Sequence, residues 1–241
     1  MEKSFSASPG GAIRRNSIDE GLRAHLGQVY SVMATGLVVT GASAWWIGSD
    51  AVRLAALKDS PLMWLAILSP LIIVLTLTLA GEKLSAGVMR VLFYLLALMT
   101  GISMSTIFQV FAGADIASAF LATAAGFAGL SIYGYTTSRD LSGLGIFLLM
   151  ALIGLIVAMI ANIFLASGTM NLVISLAGVL IFALLIAFDT QSIKAEYLAR
   201  RDSADNAWLS KAATMGALSL YLDFINLFRF LLELFHTSKD D

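Results

Sequence analysis

Seven continuous apolar segments dominate this sequence, and each is close to the roughly 20 residues that an α-helix needs to cross a bilayer. They lie at about residues 27–48, 61–80, 91–111, 115–135, 143–165, 170–190 and 212–234. Hydrophobic residues make up 59% of the 241 residues and charged residues 13%, a composition that leaves a soluble domain too little polar surface. A transmembrane β-barrel would show alternating segments about ten residues long. The sequence therefore predicts an all-α polytopic membrane protein, a bundle of seven transmembrane helices.

The residue types exclude several other classes of protein. The chain has no cysteine, which excludes a disulfide scaffold, thiolate metal sites and cysteine nucleophiles. Its two histidines, His25 and His236, lie at opposite ends, so a histidine-rich metal site is also excluded. A net charge of -1 gives no basic field for nucleic acid. We therefore expect the lipid bilayer as the main partner, no nucleic acid and no bound cofactor.

The chain is expected to form one membrane domain with short ends. Residues 1–24 are rich in Ser, Gly and charges and predict a flexible cytosolic segment. Residues 25–236 form the predicted seven-helix domain, and residues 237–241 form a short C-terminal tail. Between the spans, the only sizeable polar connection is 191–211.

The distribution of Lys and Arg predicts the orientation, because these residues are enriched in cytoplasmic connections. With the N-terminus inside, eleven of them fall on the inner side and three on the outer side, while Arg229 lies within the last span. The inner residues are Lys3, Arg14, Arg15, Arg23, Lys83, Arg90, Arg139, Lys194, Arg200, Arg201 and Lys211, and the outer residues are Arg53, Lys58 and Lys239. This asymmetry predicts a cytosolic N-terminus and an outside C-terminus.

The first span also has features of a cleaved signal peptide. A pair of arginines at 14–15 precedes an apolar core that contains Ala42-Ser43-Ala44, a small-residue site. The apolar run continues through residues 45–47, however, and the site would lie unusually far from the start. We therefore expect the span to be retained.

Two aspartates stand out within the predicted spans. Asp189 lies near the cytosolic end of span 6, and Asp223 lies about midway along span 7. An ionised Asp at a helix centre costs at least ~2.5–3.5 kcal/mol on insertion scales, so such residues usually face a cavity or a partner. Ser219, Asp223 and Asn226 have i, i+4, i+7 spacing and form one polar stripe. Gln191 follows Asp189 closely and is a further candidate polar residue.

Spans 6 and 7 are consecutive and antiparallel, so Asp189 and Asp223 are able to meet. Two carboxylates in one site repel each other, and such a pair would change protonation near physiological pH. When ionised, the pair offers hard oxygen ligands for a cation such as Ca²⁺, so both residues are candidate calcium ligands. When protonated, it shares a proton and holds two helices together. The alternative is that each Asp merely caps or hydrogen-bonds backbone at a broken helix.

Several segments resemble the Bax inhibitor-1 (transmembrane Bax inhibitor motif) family. Residues 221–228, Tyr-Leu-Asp-Phe-Ile-Asn-Leu-Phe, resemble its last-helix signature, and residues 188–193, Phe-Asp-Thr-Gln-Ser-Ile, resemble its sixth-helix motif. Residues 131–142 resemble the end of its fourth helix and the following loop. Gly21-Leu22-Arg23 and Thr35-Gly36-Leu37 look like bacterial members. The similarity runs from about residue 18 to residue 235, nearly the whole chain.

The resemblance implies a seven-helix fold in which the last helix is central and the other six surround it. It also implies a pH-sensitive calcium leak in which two aspartates sense protons, and those positions correspond to Asp189 and Asp223. In some members a basic residue near the connection between helices 2 and 3 latches onto the sixth-helix Asp. The candidates for that latch here are Lys83 and Arg90. The bacterial-like motifs imply a bacterial inner membrane.

Other functions remain to be weighed against a cation leak. A non-conducting regulator that binds another membrane protein or a protease fits the same composition. Two membrane aspartates also occur in intramembrane aspartyl proteases, but those carry Gly-x-Gly-Asp, whereas Asp223 follows Leu-Tyr-Leu. A retinal protein is disfavoured because no Lys lies within a span to form a Schiff base. We therefore expect a protein that is not an enzyme.

Overall fold

The computed structural model describes residues 9–201, 203 and 205–237 and contains helices joined by short connections. Its helices are α1 (Pro9–Gly48), α2 (Ala51–Lys58), α3 (Pro61–Ala80), α4 (Ala86–Met104), α5 (Ile107–Val110), α6 (Gly113–Thr136), α7 (Leu144–Leu165), α8 (Gly168–Arg200) and α9 (Asn206–Thr237), with a 3₁₀ turn at Gly81–Lys83. Within the described ranges no strand occurs, and seven segments are long and apolar enough to cross a membrane. The predicted all-α, seven-span fold is confirmed.

The seven spans lie where the apolar segments predict them. The last two helices, α8 and α9, extend beyond their apolar segments into the polar connection between them. Helix α8 continues to Arg200 and α9 begins at Asn206, so the polar connection expected at 191–211 shrinks to residues 201–205. The extension is rich in Ala, Lys, Glu, Leu and Arg. These residues favour helix, so the backbone stays helical after it leaves the apolar segment.

The chain ends are described only in part. Helix α1 begins at Pro9, so residues 9–24, which we expected to belong to a flexible segment, are helical backbone continuous with the first span. Residues 1–8 and 238–241 lie outside the described residues. The boundaries and flexibility assigned to the two terminal segments therefore stay predictions.

Helix α9 is the central helix of the bundle. In its most apolar stretch 61% of the residues are buried inside the protein, against at most 33% for the other spans. It packs most extensively against α8, α1, α6 and α4, and α3 and α7 face it across a cavity. Helices α3 and α7 instead pack mainly against α4 and α8. Their mean hydropathies of 2.4 and 2.9 let lipid solvate most of their surface, so a central position is not required.

One buried contact fixes α1, α4 and α9 against each other. The Thr40 hydroxyl lies 2.7 Å from the Tyr221 hydroxyl and donates to the Ala97 carbonyl at 2.9 Å. Gly101 allows this close approach, because a Cβ at that position would lie 2.3 Å from the Thr40 carbonyl oxygen. The contact ties the central helix to two of its neighbours and sets the direction in which its polar stripe faces.

Candidate functional site

Asp189 on α8 and Asp223 on α9 come together inside the bundle. Their carboxyl groups lie within hydrogen-bond reach of each other. A carboxylate can only accept a hydrogen bond, so a bond between two carboxyl groups requires a proton on one of them. The arrangement is therefore suited to a pair of acids that shares one proton.

Asp223 is the more deeply placed member of the pair. Asp223 is only 5% exposed, and no amide or hydroxyl donor of the described residues reaches its buried Oδ2 atom. Asp189 is half-buried. Without such donors an ionised Asp223 would be costly, which favours a proton shared with Asp189.

The position of Asp189 depends on close packing between α6 and α8. Gly134 faces the backbone of Ala187, and a Cβ at position 134 would lie 2.3 Å from the Ala187 carbonyl oxygen. One turn away, the Thr190 hydroxyl donates to the Ser131 hydroxyl at 3.4 Å. These contacts hold the backbone on both sides of Asp189 against α6.

The polar stripe predicted on the last span lies beside the pair. Ser219 and Asn226 line the same cavity as Asp189 and Asp223. The Asn226 amide nitrogen donates to the Leu222 carbonyl at 2.8 Å, which fixes the orientation of the side chain. The helical spacing thus identified the residues on α9 that share a face with the pair.

Gln191, a candidate polar residue of the site, does not lie beside the acid pair. Its Nε2 atom donates to the Arg139 carbonyl at 2.9 Å and its Oε1 atom accepts from the Leu141 amide at 2.8 Å. Residues two apart on a helix differ by about 200° in direction, so Gln191 faces away from the Asp189 site. It anchors the connection between α6 and α7 to α8.

In the connection between α6 and α7, bonds from the Ser142 hydroxyl and amide hold the pKa of Asp140 below its ordinary value.

The two candidate latch residues do not contact the pair in this conformation. Lys83 is exposed at the end of the 3₁₀ turn, and Arg90 is half-buried near the start of α4. Within the described part of the chain, the Nε and Nη2 atoms of Arg90 are buried without a hydrogen-bond partner. Neither Lys83 nor Arg90 is among the residues that line the cavity with Asp189. The latch stays a prediction about another conformation.

A second polar cluster lies at the opposite end of the cavity. The Asn171 amide donates to Glu233 at 2.6 Å, and Arg229 interacts electrostatically with Glu233. Arg229 and Glu233 have i, i+4 spacing on α9, which favours an ion pair, but no sequence pattern indicated Asn171. That residue is on α8, and spacing along α9 carries no signal for a partner on another helix.

The two polar clusters are joined by one cavity of about 1020 Å³. Most of its polar lining comes from α8 and α9, with Asn162 from α7, and α3 contributes apolar side chains only. Among the described residues no group of three or more His, Asp or Glu side chains gathers in a form suited to a metal ion. Resident calcium sites use six to eight oxygens. The two aspartates alone therefore supply fewer oxygens than a resident calcium site uses.

Comparison with known proteins gives consistent results. A family model described as "Inhibitor of apoptosis-promoting Bax1" matches residues 22–240. The inner membrane protein YbhL of Escherichia coli is 42% identical over 222 residues, which cover 91% of this chain and 94% of that protein. An uncharacterized protein of Caulobacter vibrioides is 39% identical and covers 93% of this chain and 92% of its own length. The uncharacterized protein RP147 of Rickettsia prowazekii is 36% identical, with 94% and 95% covered.

Proposed function

This chain belongs to the Bax inhibitor-1 family, and on that premise we propose that it is a pH-sensitive calcium leak channel. Asp189 and Asp223 are the proton sensor, and Ca²⁺ is the transported ion. The similarity to a protein named as an inner membrane protein supports placement in a bacterial inner membrane. The chain is a multi-pass integral membrane protein.

The observation that supports this proposal most strongly is the shared hydrogen bond between two acids on neighbouring helices. While one proton is bound, the pair holds α8 and α9 together at the inner end of the cavity. Loss of that proton leaves two like charges in contact, and their repulsion favours separation of the helices. Separation admits water and presents ionised carboxylates to a hard cation. The expected leak therefore increases as pH rises.

The direct test uses purified protein in liposomes that contain a calcium-sensitive dye. Calcium influx should exceed that of protein-free liposomes and should increase from mildly acidic to mildly alkaline pH. Protein inactivated by heat before reconstitution controls for damage to the membrane. The same influx with active and inactivated protein at every pH would contradict the channel.

A second candidate function follows from the wording of the family description, which names an inhibitor of apoptosis-promoting Bax1. In this alternative the chain is a non-conducting regulator that binds another membrane protein or a protease. It becomes the leading function if folded wild-type protein conducts no calcium at any pH.

The proposed orientation has the N-terminus in the cytosol and the C-terminus outside. Because the chain contains no cysteine, a single introduced cysteine reports its own position. Ser4→Cys should be protected from a membrane-impermeant thiol reagent in intact cells, and Ser238→Cys should be labelled. Both should react after the membrane is dissolved in detergent. The reverse pattern in intact cells would overturn the orientation predicted from the Lys and Arg distribution.

A further inference from the structure

The cavity opens sideways, between α3 and α7. Ile67 and Leu71 of α3 are 46% and 61% exposed, and Ile156 and Ile163 of α7 are 48% and 76% exposed. All four also line the cavity, so it is continuous with the surroundings of these two helices. Because α3 and α7 pack mainly on other neighbours, the gap between them faces the region that lipid chains occupy. A molecule dissolved in the bilayer can therefore approach the cavity without first entering water.

The floor of this opening is polar and acidic. Asp189, Ser219, Asp223 and Asn226 line the cavity behind the apolar walls. Asp223 is buried, and the carboxyl group of Asp189 lies within hydrogen-bond reach of it. No amide or hydroxyl donor of the described residues reaches its buried Oδ2 atom. The cavity thus combines an apolar entrance with a buried pair of acids.

The charges of the cavity select among bilayer-soluble molecules. At the outer end Arg229 faces Glu233, and the two charges offset each other. At the inner end, Asp189 and Asp223 carry one negative charge when they share a proton and two when both are ionised. A fatty acid would place its carboxylate against this charge, and a long-chain alcohol would add no ionic attraction. A primary ammonium group offers three donors and a positive charge.

From these observations we propose that the cavity is a lateral binding site for single-chain cationic amphiphiles, of which long-chain primary amines are the simplest. The ammonium group donates to Asp223, and the alkyl chain lies between α3 and α7. The volume of about 1020 Å³ is at the upper end of the range found for small-molecule pockets, so one such molecule fits. The site shares Asp223 with the proposed leak, but binding does not require that the protein conduct ions.

The test uses a primary amine of about 12 carbons, a length that matches one bilayer leaflet, with a photoreactive diazirine in its chain. The alcohol of the same chain length is the comparison. Wild-type protein in nanodiscs is irradiated with each probe at mildly alkaline pH, and the labelled peptides are identified by mass spectrometry. We expect the amine to label residues 67–74 of α3 and 152–163 of α7. Excess unlabelled dodecylamine should remove this labelling.

The dependence on Asp223 is the decisive part of the test. Asp223→Asn should weaken saturable labelling by about tenfold or more, because a charged hydrogen bond is lost. Asp140→Asn, in the exposed connection after α6, is the matched control and should label as wild type does. Folding of each variant is checked by its elution profile and thermal midpoint.

Two results would overturn the proposal. The first is labelling of the same peptides by the alcohol with the same saturation, and the second is full amine labelling of folded Asp223→Asn. In either case the cavity would be a non-selective groove for lipid chains. Calcium influx measured on the same preparations separates the two proposals. Amine labelling without any influx would contradict the proposed channel and support the proposed binding site.

Discussion

Replacing Asp223 with Asn should remove most of the pH dependence of calcium influx into proteoliposomes. Asn keeps the size and hydrogen-bonding capacity of the side chain but cannot ionise. Without a second charge, loss of a proton from Asp189 no longer creates like-charge repulsion between α8 and α9. Any Ca²⁺ at the pair also loses one anionic oxygen ligand. We expect influx to change little between mildly acidic and mildly alkaline pH.

The companion variants test whether the two acids work as one unit. Asp189→Asn should have a similar effect, and the double variant should add little to either change, because coupled residues are not additive. Glu233→Gln is the control for charge removal at the other end of the same cavity. It should leave the shape of the pH profile almost unchanged, whatever its effect on the rate. A full pH response in folded Asp223→Asn would remove the proton-sensor assignment while leaving conduction intact.

Replacing Gly134 with Ala should destabilise the protein and disturb the acid pair. The added Cβ would meet the Ala187 carbonyl oxygen at 2.3 Å, and that oxygen belongs to backbone, which cannot rotate away. Helices α6 and α8 must then move apart, and overpacking of this kind typically costs about 1–3 kcal/mol. Because Ala187 lies two residues before Asp189, the change should also shift the pH profile of influx.

Gly129 provides the matched control on the same helix. A Cβ at position 129 meets nothing within 4 Å, so Gly129→Ala should be neutral or stabilising, by up to about 1 kcal/mol from helix propensity. Thermal midpoints of the two variants in detergent, measured by loss of the monodisperse elution peak, give the comparison. Equal midpoints for Gly134→Ala and Gly129→Ala would show that the α6–α8 contact is not tight in the membrane protein.

The central site was accessible to sequence reasoning because its signal is local. Asp189 and Asp223 are charged residues inside apolar segments, and the cost of placing charge in a membrane marks them without any structure. Ser219 and Asn226 followed from helical spacing with Asp223, and both line the cavity. Gln191 was misplaced by proximity along the chain, although its helical direction relative to Asp189 would have indicated the other face.

Other parts of the site carry no such signal. Asn171 contacts Glu233 across two helices, and nothing in the spacing along either helix pairs them. The close approach at Gly134 is likewise invisible in the sequence, since other glycines of α6, such as Gly126 and Gly129, have open space around them. Only the arrangement of α6 against α8 distinguishes the glycine that the packing requires.

The sequence by itself determined the number and approximate limits of the spans, because both depend on hydrocarbon thickness and on hydropathy along a single segment. Tertiary structure alone decided that α3 and α7 lie outside the central packing, and that a cavity separates them. All the spans are apolar, and lipid solvates apolar side chains about as well as another helix does. Hydropathy therefore cannot rank helices by position in the bundle. Small residues, interhelical hydrogen bonds and close backbone contacts set that order, and these act only between segments distant in the chain.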